Sequence, residues 1–397
     1  MVKRIGIIGA GPIGIEAGVR AMEEGYEVVV FEKGRVGEHV RRWKHVELFS
    51  PWEMNRSRWG AARLGGGEGN VGGGAEFPTG EQYLEHYLIP LADRLGEGLQ
   101  EGTEVLGASR RGQLKGEGVG QRDRDAGFEL RVRGEQGERF EEVDILLDAS
   151  GVLSQPGRLG PQGLSALGEE EFEERILRGI PEGEQIERWG SRDTVMLVGA
   201  GHSAMTSLKM MVKALGPMKD EAPRVWWAYR ELGEPRELID GDPLPQRAQL
   251  DELGNRAARQ EIDGVVALDG SQVRSIKGGQ KGAMRVEISR RGGLDVVGVD
   301  WIVSNVGYRP DLSLTRELQV HHCYASEGPM KLAAHLMASA GGGGNCLEQS
   351  SGGAETLETP EPDFFVLGAK SFGRNSNFLL SLGFEQIDQV FDELLQR

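Results

Sequence analysis

Arg4-Ile5-Gly6-Ile7-Ile8-Gly9-Ala10-Gly11-Pro12-Ile13-Gly14, followed by Glu27-Val28-Val29-Val30-Phe31-Glu32, is the stretch on which the fold turns. A short β-rich run enters a Gly-x-Gly-x-x-Gly turn, the turn opens a helical run from Ile15 to Glu24, and a second β-rich run ends on a carboxylate. The three glycines differ in what they allow. Gly9 permits the tight turn, Gly11 lets backbone approach a pyrophosphate, and Gly14 allows close packing of helix on strand. The helix start, with Pro12 in its first turn, supplies N–H groups and a partial positive charge to the phosphates. Glu32 lies 21 residues after Gly11, where a carboxylate accepts hydrogen bonds from an adenosine ribose and repels a 2′-phosphate. FAD or NAD(H) is therefore expected at this site rather than NADPH, with Lys33 beside it.

The pattern recurs 190 residues on. Gly199-Ala200-Gly201-His202-Ser203-Ala204 follows the β-rich run Thr194 to Val198, opens a helical stretch to Leu215, and is followed by the β-rich run Arg224 to Ala228. A second dinucleotide site is implied, with Ala204 in the packing position and His202 and Ser203 lining the pyrophosphate. After that run, Arg230 would grip a 2′-phosphate and Glu231 a ribose diol, so NADPH leads and NADH stays open. Each half then repeats a ribbon of short strands, Phe128 to Val132 and Met284 to Ile288. Each also has a strand ending in glycine, Asp144 to Gly151 and Asp300 to Gly307. The fold class is accordingly α/β: two Rossmann-like, three-layer ββα dinucleotide-binding domains, the second inserted into the first. Residues 1–160 and 310–397 form the discontinuous first domain, expected to bind FAD, and residues 185–309 the second, expected to bind NAD(P)H.

Composition narrows the partners. The 397 residues carry 46 Lys plus Arg against 62 Asp plus Glu, a net charge of −16, which repels a phosphate backbone and disfavours nucleic acid. No apolar run nears the ~20 residues of a membrane span, and Met1-Val2-Lys3-Arg4 leads straight into a strand, so a cytoplasmic location is expected. The only cysteines, Cys323 and Cys346, lack C-x-x-C spacing, which disfavours a protein dithiol relay. No metal site is expected, because the adjacent His321, His322 and Cys323 cannot easily converge on one ion. The glycine runs Gly65 to Gly74 and Gly341 to Gly344 read as surface linkers, and Asp240 to Pro245 as an acidic loop near the second site. Oligomeric state is not read from the sequence, and a homodimer is left open.

The paired fingerprints and strand-end glycines resemble the two-dinucleotide-binding-domain flavoproteins over nearly the whole chain. Within them, three stretches are most similar to the branch of flavin-containing and N-hydroxylating monooxygenases: Phe49-Ser50-Pro51-Trp52, Phe77 to Leu88, and Asn305-Val306-Gly307-Tyr308-Arg309-Pro310-Asp311. The Baeyer–Villiger signature is absent, and Gly37 to Trp43 is only loosely similar to the flavin-side loop of that branch. The resemblance implies FAD reduced by NADPH or NADH, then electrons passed to O2 and a small-molecule substrate. The alternatives are a reductase of a quinone, disulfide or carrier protein, and a redox-sensing flavoprotein. It further implies that Gly151 lies beside FAD, that Gly368, Asn377 and Gly383 meet its phosphates and flavin edge, and that Asn55 sits over the flavin. Gly307 is implied beside the NADPH. Catalytic residues are otherwise unassigned, since hydride transfer needs orientation more than an ionisable group.

Overall fold

In the computed structural model, which describes residues 2–65, 76–189, 193–215, 224–339 and 350–397, alternation along the strands does most of the sorting into layers. The strands are β1 (Arg4–Ile8), β2 (Glu27–Phe31), β3 (Leu99–Gln100), β4 (Glu104–Arg110), β5 (Phe128–Gly134), β6 (Gly137–Val143), β7 (Ile145–Asp148) and β8 (Ile176–Arg178). They continue as β9 (Val195–Val198), β10 (Val225–Ala228), β11 (Val265–Leu268), β12 (Ser271–Gly278), β13 (Met284–Arg290), β14 (Gly293–Val299), β15 (Trp301–Ser304) and β16 (Phe364–Val366). The helices of ten or more residues are α1 (Pro12–Glu23), α2 (His202–Leu215), α3 (Pro245–Ala258), α4 (Met330–Ser339) and α5 (Leu380–Leu395).

The chain divides into two compact units, Met1–Gln155 with Tyr308–Arg397, and Pro156–Gly307. The first is built on a parallel sheet of order β16-β7-β1-β2-β3, and a three-stranded antiparallel sheet β4-β5-β6 packs beside it. Because side chains on a strand alternate, Ile5, Ile7, Val30, Ile145, Leu147 and Phe365 join α1 and α5 in one core. Ile8, Val29, Phe31, Leu146, Phe364 and Val366 face the other way, onto Phe128, Leu130 and Val132. That is the three-layer arrangement read from the sequence. The second unit repeats it with a parallel sheet β11-β10-β9-β15-β8 and an antiparallel sheet β12-β13-β14. Val195, Leu197 and Trp227 pack on the helix side, Met196, Val198 and Ile302 on the antiparallel sheet.

In this division residues 156–160, expected in the first domain, and residues 161–184, which the sequence reading left between the two, belong to the second unit, while Tyr308 and Arg309 belong to the first. The segment 156–184 holds β8, an edge strand of three residues, and buried Glu169, whose carboxylate accepts the N–H groups of Leu159 and Ala166 and pairs with Arg178 at 2.9 Å. So short a strand beside an acidic 3-10 segment leaves no periodicity to read. Most of the two glycine-rich runs, and Cys346, lie outside the described residues. No helix among the described residues is long and apolar enough to cross a membrane.

Candidate cofactor sites

In the first unit β1 delivers the fingerprint directly into α1. Gly9 has φ +100, donates its N–H to the Phe31 carbonyl at 2.8 Å, and would place a Cβ 2.8 Å from the Ala149 carbonyl. At Gly14 a Cβ would stand 1.9 Å from the Gly9 carbonyl, so helix and turn touch only because it is absent. At Gly11 the same construction meets nothing within 4 Å. Gly11 is also the N-cap of α1, with Pro12 next and no side chain capping the first N–H groups. Two glycines thus close the turn and one leaves it open at an uncapped helix start, a cradle that fits a dinucleotide pyrophosphate.

Glu32 is buried and already bridges this loop: it accepts the Ala10 N–H at 2.9 Å and the Gly34 N–H at 2.7 Å. A carboxylate has about four acceptor positions, so capacity for a ribose diol remains. Lys33 is exposed, and Gly151 has φ +70 with open space around it. His39, in the turn of helix after Gly37, is pushed down to about 4 by burial, with Arg42 and Lys33 adding to it, and stays neutral at neutral pH.

Several residues expected at the flavin also have partners within the unit. Asn55 is buried with its amide engaged locally: it accepts the Ser50 hydroxyl at 2.9 Å and donates to the Ser50 and Pro51 carbonyls, each at 2.8 Å. Both its donors are used within this loop. Gly383 is the fourth residue of α5, where a Cβ would fall 2.3 Å from Ile13 Cδ1; it lets α5 pack closely on α1. Gly368 (φ +70) borders the same Ile13 and donates its N–H to Gln386 Oε1 at 2.8 Å. Asn375 accepts the Asn377 N–H at 3.0 Å, and α5 starts at Leu380 with Leu379 as its N-cap. Asn377 stays half-buried in the approach to that helix.

Sequence reasoning missed the charged pair beside this cradle. Lys370 Nζ donates to Asp148 Oδ2 at 2.6 Å and to Ser150 Oγ at 3.0 Å, and Ser150 returns its N–H and hydroxyl to Asp148 Oδ1. Lysine and aspartate are 2% and 0% exposed. They join the ends of β16 and β7, next to β1 in the sheet. On α1, Glu16 is buried against Tyr87 and Ser57; burial raises its pKa although both partners lower it.

The second unit repeats the cradle. Gly199 has φ +125, and a Cβ there would lie 2.3 Å from the Asn305 carbonyl, while Gly201 and Gly307 (φ +87) have nothing within 4 Å. Ala204 is fully buried, His202 half-buried and Ser203 exposed. Arg230 projects into solvent. The arginine that reaches the fingerprint is Arg236, with Nη2 2.6 Å from His202 Nε2, Nη1 3.4 Å from the Ala200 carbonyl and Nε 2.6 Å from Asp251 Oδ1. Asn255 fixes its backbone from both sides. Burial would raise the Asp251 carboxyl, but the hydrogen bonds from His202 and Arg236 overcome this and hold it below its usual range. Asp251, Asn255 and Arg247 line one stripe of α3, and Arg247 grips Asp242 of the acidic loop through two bonds of 2.8 and 2.6 Å. The stripe's spacing of four was the available signal, but in sequence it reads as a solvated face.

Residues 6–109 match the family described as pyridine nucleotide-disulphide oxidoreductase. No curated protein matches the sequence. Among solved structures, the bacillithiol disulfide reductase of Bacillus cereus aligns over 100% of both chains at 17% identity with a TM-score of 0.71. The ornithine N-hydroxylase of Kutzneria sp. 744 also covers 100% of both, at 13% identity and TM-score 0.64. The thioredoxin reductase of T. acidophilum covers 99% of both, at 14% and 0.60. From end to end, the chain has the fold of the two-domain FAD/NAD(P)-binding oxidoreductases.

Proposed function

We propose that the chain is an FAD-dependent NAD(P)H oxidoreductase acting on a small-molecule acceptor. The observation that carries this is the repeated cradle: in each unit the second fingerprint glycine, Gly11 or Gly201, faces open space at the start of a long helix. Bound FAD would supply the hydride acceptor that no amino acid provides. Gly9, Gly11, Pro12 and Gly14 present backbone to its pyrophosphate, Glu32 accepts from its adenosine ribose, and Lys33, Gly151, Gly368 and Asn377 border it. Gly199, Gly201, His202, Ser203, Ala204 and Gly307 take the nicotinamide nucleotide. Arg236 replaces Arg230 as the residue that would select a 2′-phosphate, since Asp251 holds its guanidinium at the fingerprint.

The reading of disulfide reduction draws support from the family match and from the likeness to the bacillithiol enzyme. With no C-x-x-C in the chain, its acceptor would be a small disulfide meeting the reduced flavin directly. Oxygenation of a substrate draws the same kind of support from the ornithine hydroxylase.

Anaerobic titration of the purified protein with NADPH and with NADH, then separate admission of air and of a small disulfide, tests the proposal. Yellow protein that bleaches with either nucleotide is expected; colourless protein that cannot be loaded with FAD ends the idea. Arg236→Ala is expected to weaken NADPH binding about tenfold or more and NADH binding far less, because a charge-assisted bond to phosphate contributes about 1.5–3 kcal/mol. Equal weakening of both nucleotides, measured by calorimetry, would remove Arg236 from the 2′-phosphate role.

A further inference from the structure

Each unit carries a three-stranded antiparallel sheet, and among the described residues each of these sheets has one edge covered and one bare. A bridge between Ser109 and Glu317 covers β4, and a bridge between Ser275 and Leu167 covers β12. The outer sides of β6 and β14 carry no strand or bridge among the described residues. A bare edge presents a row of unpaired N–H and C=O groups, a template for another strand, and charged side chains, proline or a bulge normally guard it.

The two bare edges are guarded very differently. β6 reads Gly137-Glu138-Arg139-Phe140-Glu141-Glu142-Val143, four charges in seven residues. Arg131 and Arg133 hold Glu138, and Arg139 pairs with Glu141. β14 reads Gly293-Leu294-Asp295-Val296-Val297-Gly298-Val299, with one charge, no cation and no proline. It pairs with β13 along its whole length without a bulge, from Gly293 opposite Arg290 to Val299 opposite Met284. Val297 and Val299 turn into the core of the second unit, whereas Leu294 and Val296 stand on the outer face, 67% and 48% exposed.

This strand is also self-complementary. Set antiparallel to a second copy about an axis at its central residue, every residue finds a partner: Val296 meets Val296, Asp295 meets Val297, Leu294 meets Gly298 and Gly293 meets Val299. No charge then faces a like charge. Leu294 falls where there is room for it, because a Cβ built on Gly298 meets nothing within 4 Å. Behind β14, Arg285, Glu287 and Ser289 of β13 stand opposite Gly298, Val296 and Leu294, a polar rim to an apolar centre. The same operation on β6 sets Glu138 against Glu142 twice, like charges directly opposite.

We propose that β14 is the pairing edge for a second copy of this chain, which joins the antiparallel sheets of two second units into one of six strands. Backbone hydrogen bonds supply the association, and the alternation of Leu294, Val296 and Gly298 sets its register.

Sedimentation velocity of the purified full-length protein over a concentration series tests this. A reversible species of twice 43.3 kDa is expected, with amide exchange in β14 that slows as concentration rises. Val296→Lys brings two ammonium groups together at the axis and should weaken the association about a hundredfold, the effect of juxtaposed like charges. Gly298→Leu fills the space that receives Leu294 and should weaken it about tenfold by overpacking. Phe140→Lys, the matching change on β6, should leave it unaltered. If Val296→Lys fails to fold, Gly298→Leu carries the comparison. A 43.3 kDa species throughout the series overturns the proposal. So does a dimer that keeps its strength in either folded β14 variant, or that Phe140→Lys weakens as much.

Discussion

Lys370→Met lowers the unfolding free energy by about 3–5 kcal/mol, the typical cost of removing one partner from a buried ion pair. Methionine fills much of the same volume, so little of this comes from a cavity. The loss arises at Asp148, which is fully buried and would keep only Ser150 as a hydrogen-bond donor to its side chain. An uncompensated carboxylate in that position is left without solvent or a counter-charge. Adding Asp148→Asn removes the stranded charge and should restore a large part of the stability. Urea unfolding of the two single variants and the double variant gives the coupling directly. Additive losses would show that lysine and aspartate act independently, and the strand-end clamp would then be the wrong account of them.

That pair also marks where the sequence stops being legible. Valines, isoleucines and leucines in short runs announce strands because burial on both faces of a parallel sheet needs no partner beyond another apolar group. A glycine fingerprint announces its turn because only glycine tolerates φ +100 at Gly9 or the absent Cβ at Gly14. Both requirements are local, and both fingerprint turns stand where the sequence puts them. Charges obey a different logic. Lys370 and Asp148 are 222 positions apart, and neither spacing nor composition says that they meet. Arg230 was the natural choice for a phosphate because it follows β10 directly; Arg236 reaches the fingerprint because the loop folds back onto α3, a path set by Asp251 and Asn255. Asn55 and Gly383 show the converse, contacts that the residue type alone does not announce. Each has the residue type a cofactor contact would use, yet one is engaged by Ser50 and Pro51 and the other by Ile13.

Gly11→Val and Gly14→Val should fail in opposite ways, and the contrast isolates binding from folding. Gly11 has φ −78 and ψ −176, an extended conformation that suits a β-branched residue, and its Cβ would meet nothing within 4 Å. Valine there should leave unfolding of the cofactor-free protein within about 0.5 kcal/mol of the parent, as a substitution in open space does. The same side chain occupies the space through which a pyrophosphate would approach the helix start. FAD affinity should fall by roughly a hundredfold, about 2.8 kcal/mol at 1.4 kcal/mol per tenfold. At Gly14 the obstacle is backbone, the Gly9 carbonyl at 1.9 Å, which cannot rotate away as a side chain would. Helix and turn must separate, so stability should fall by about 1–3 kcal/mol or more even without cofactor, and flavin should be lost as a consequence. Flavin content after purification and cofactor-free unfolding curves measure the two effects separately. Retention of full FAD affinity by Gly11→Val would mean that the open face of the fingerprint is not where the pyrophosphate lies, whatever the stability of Gly14→Val.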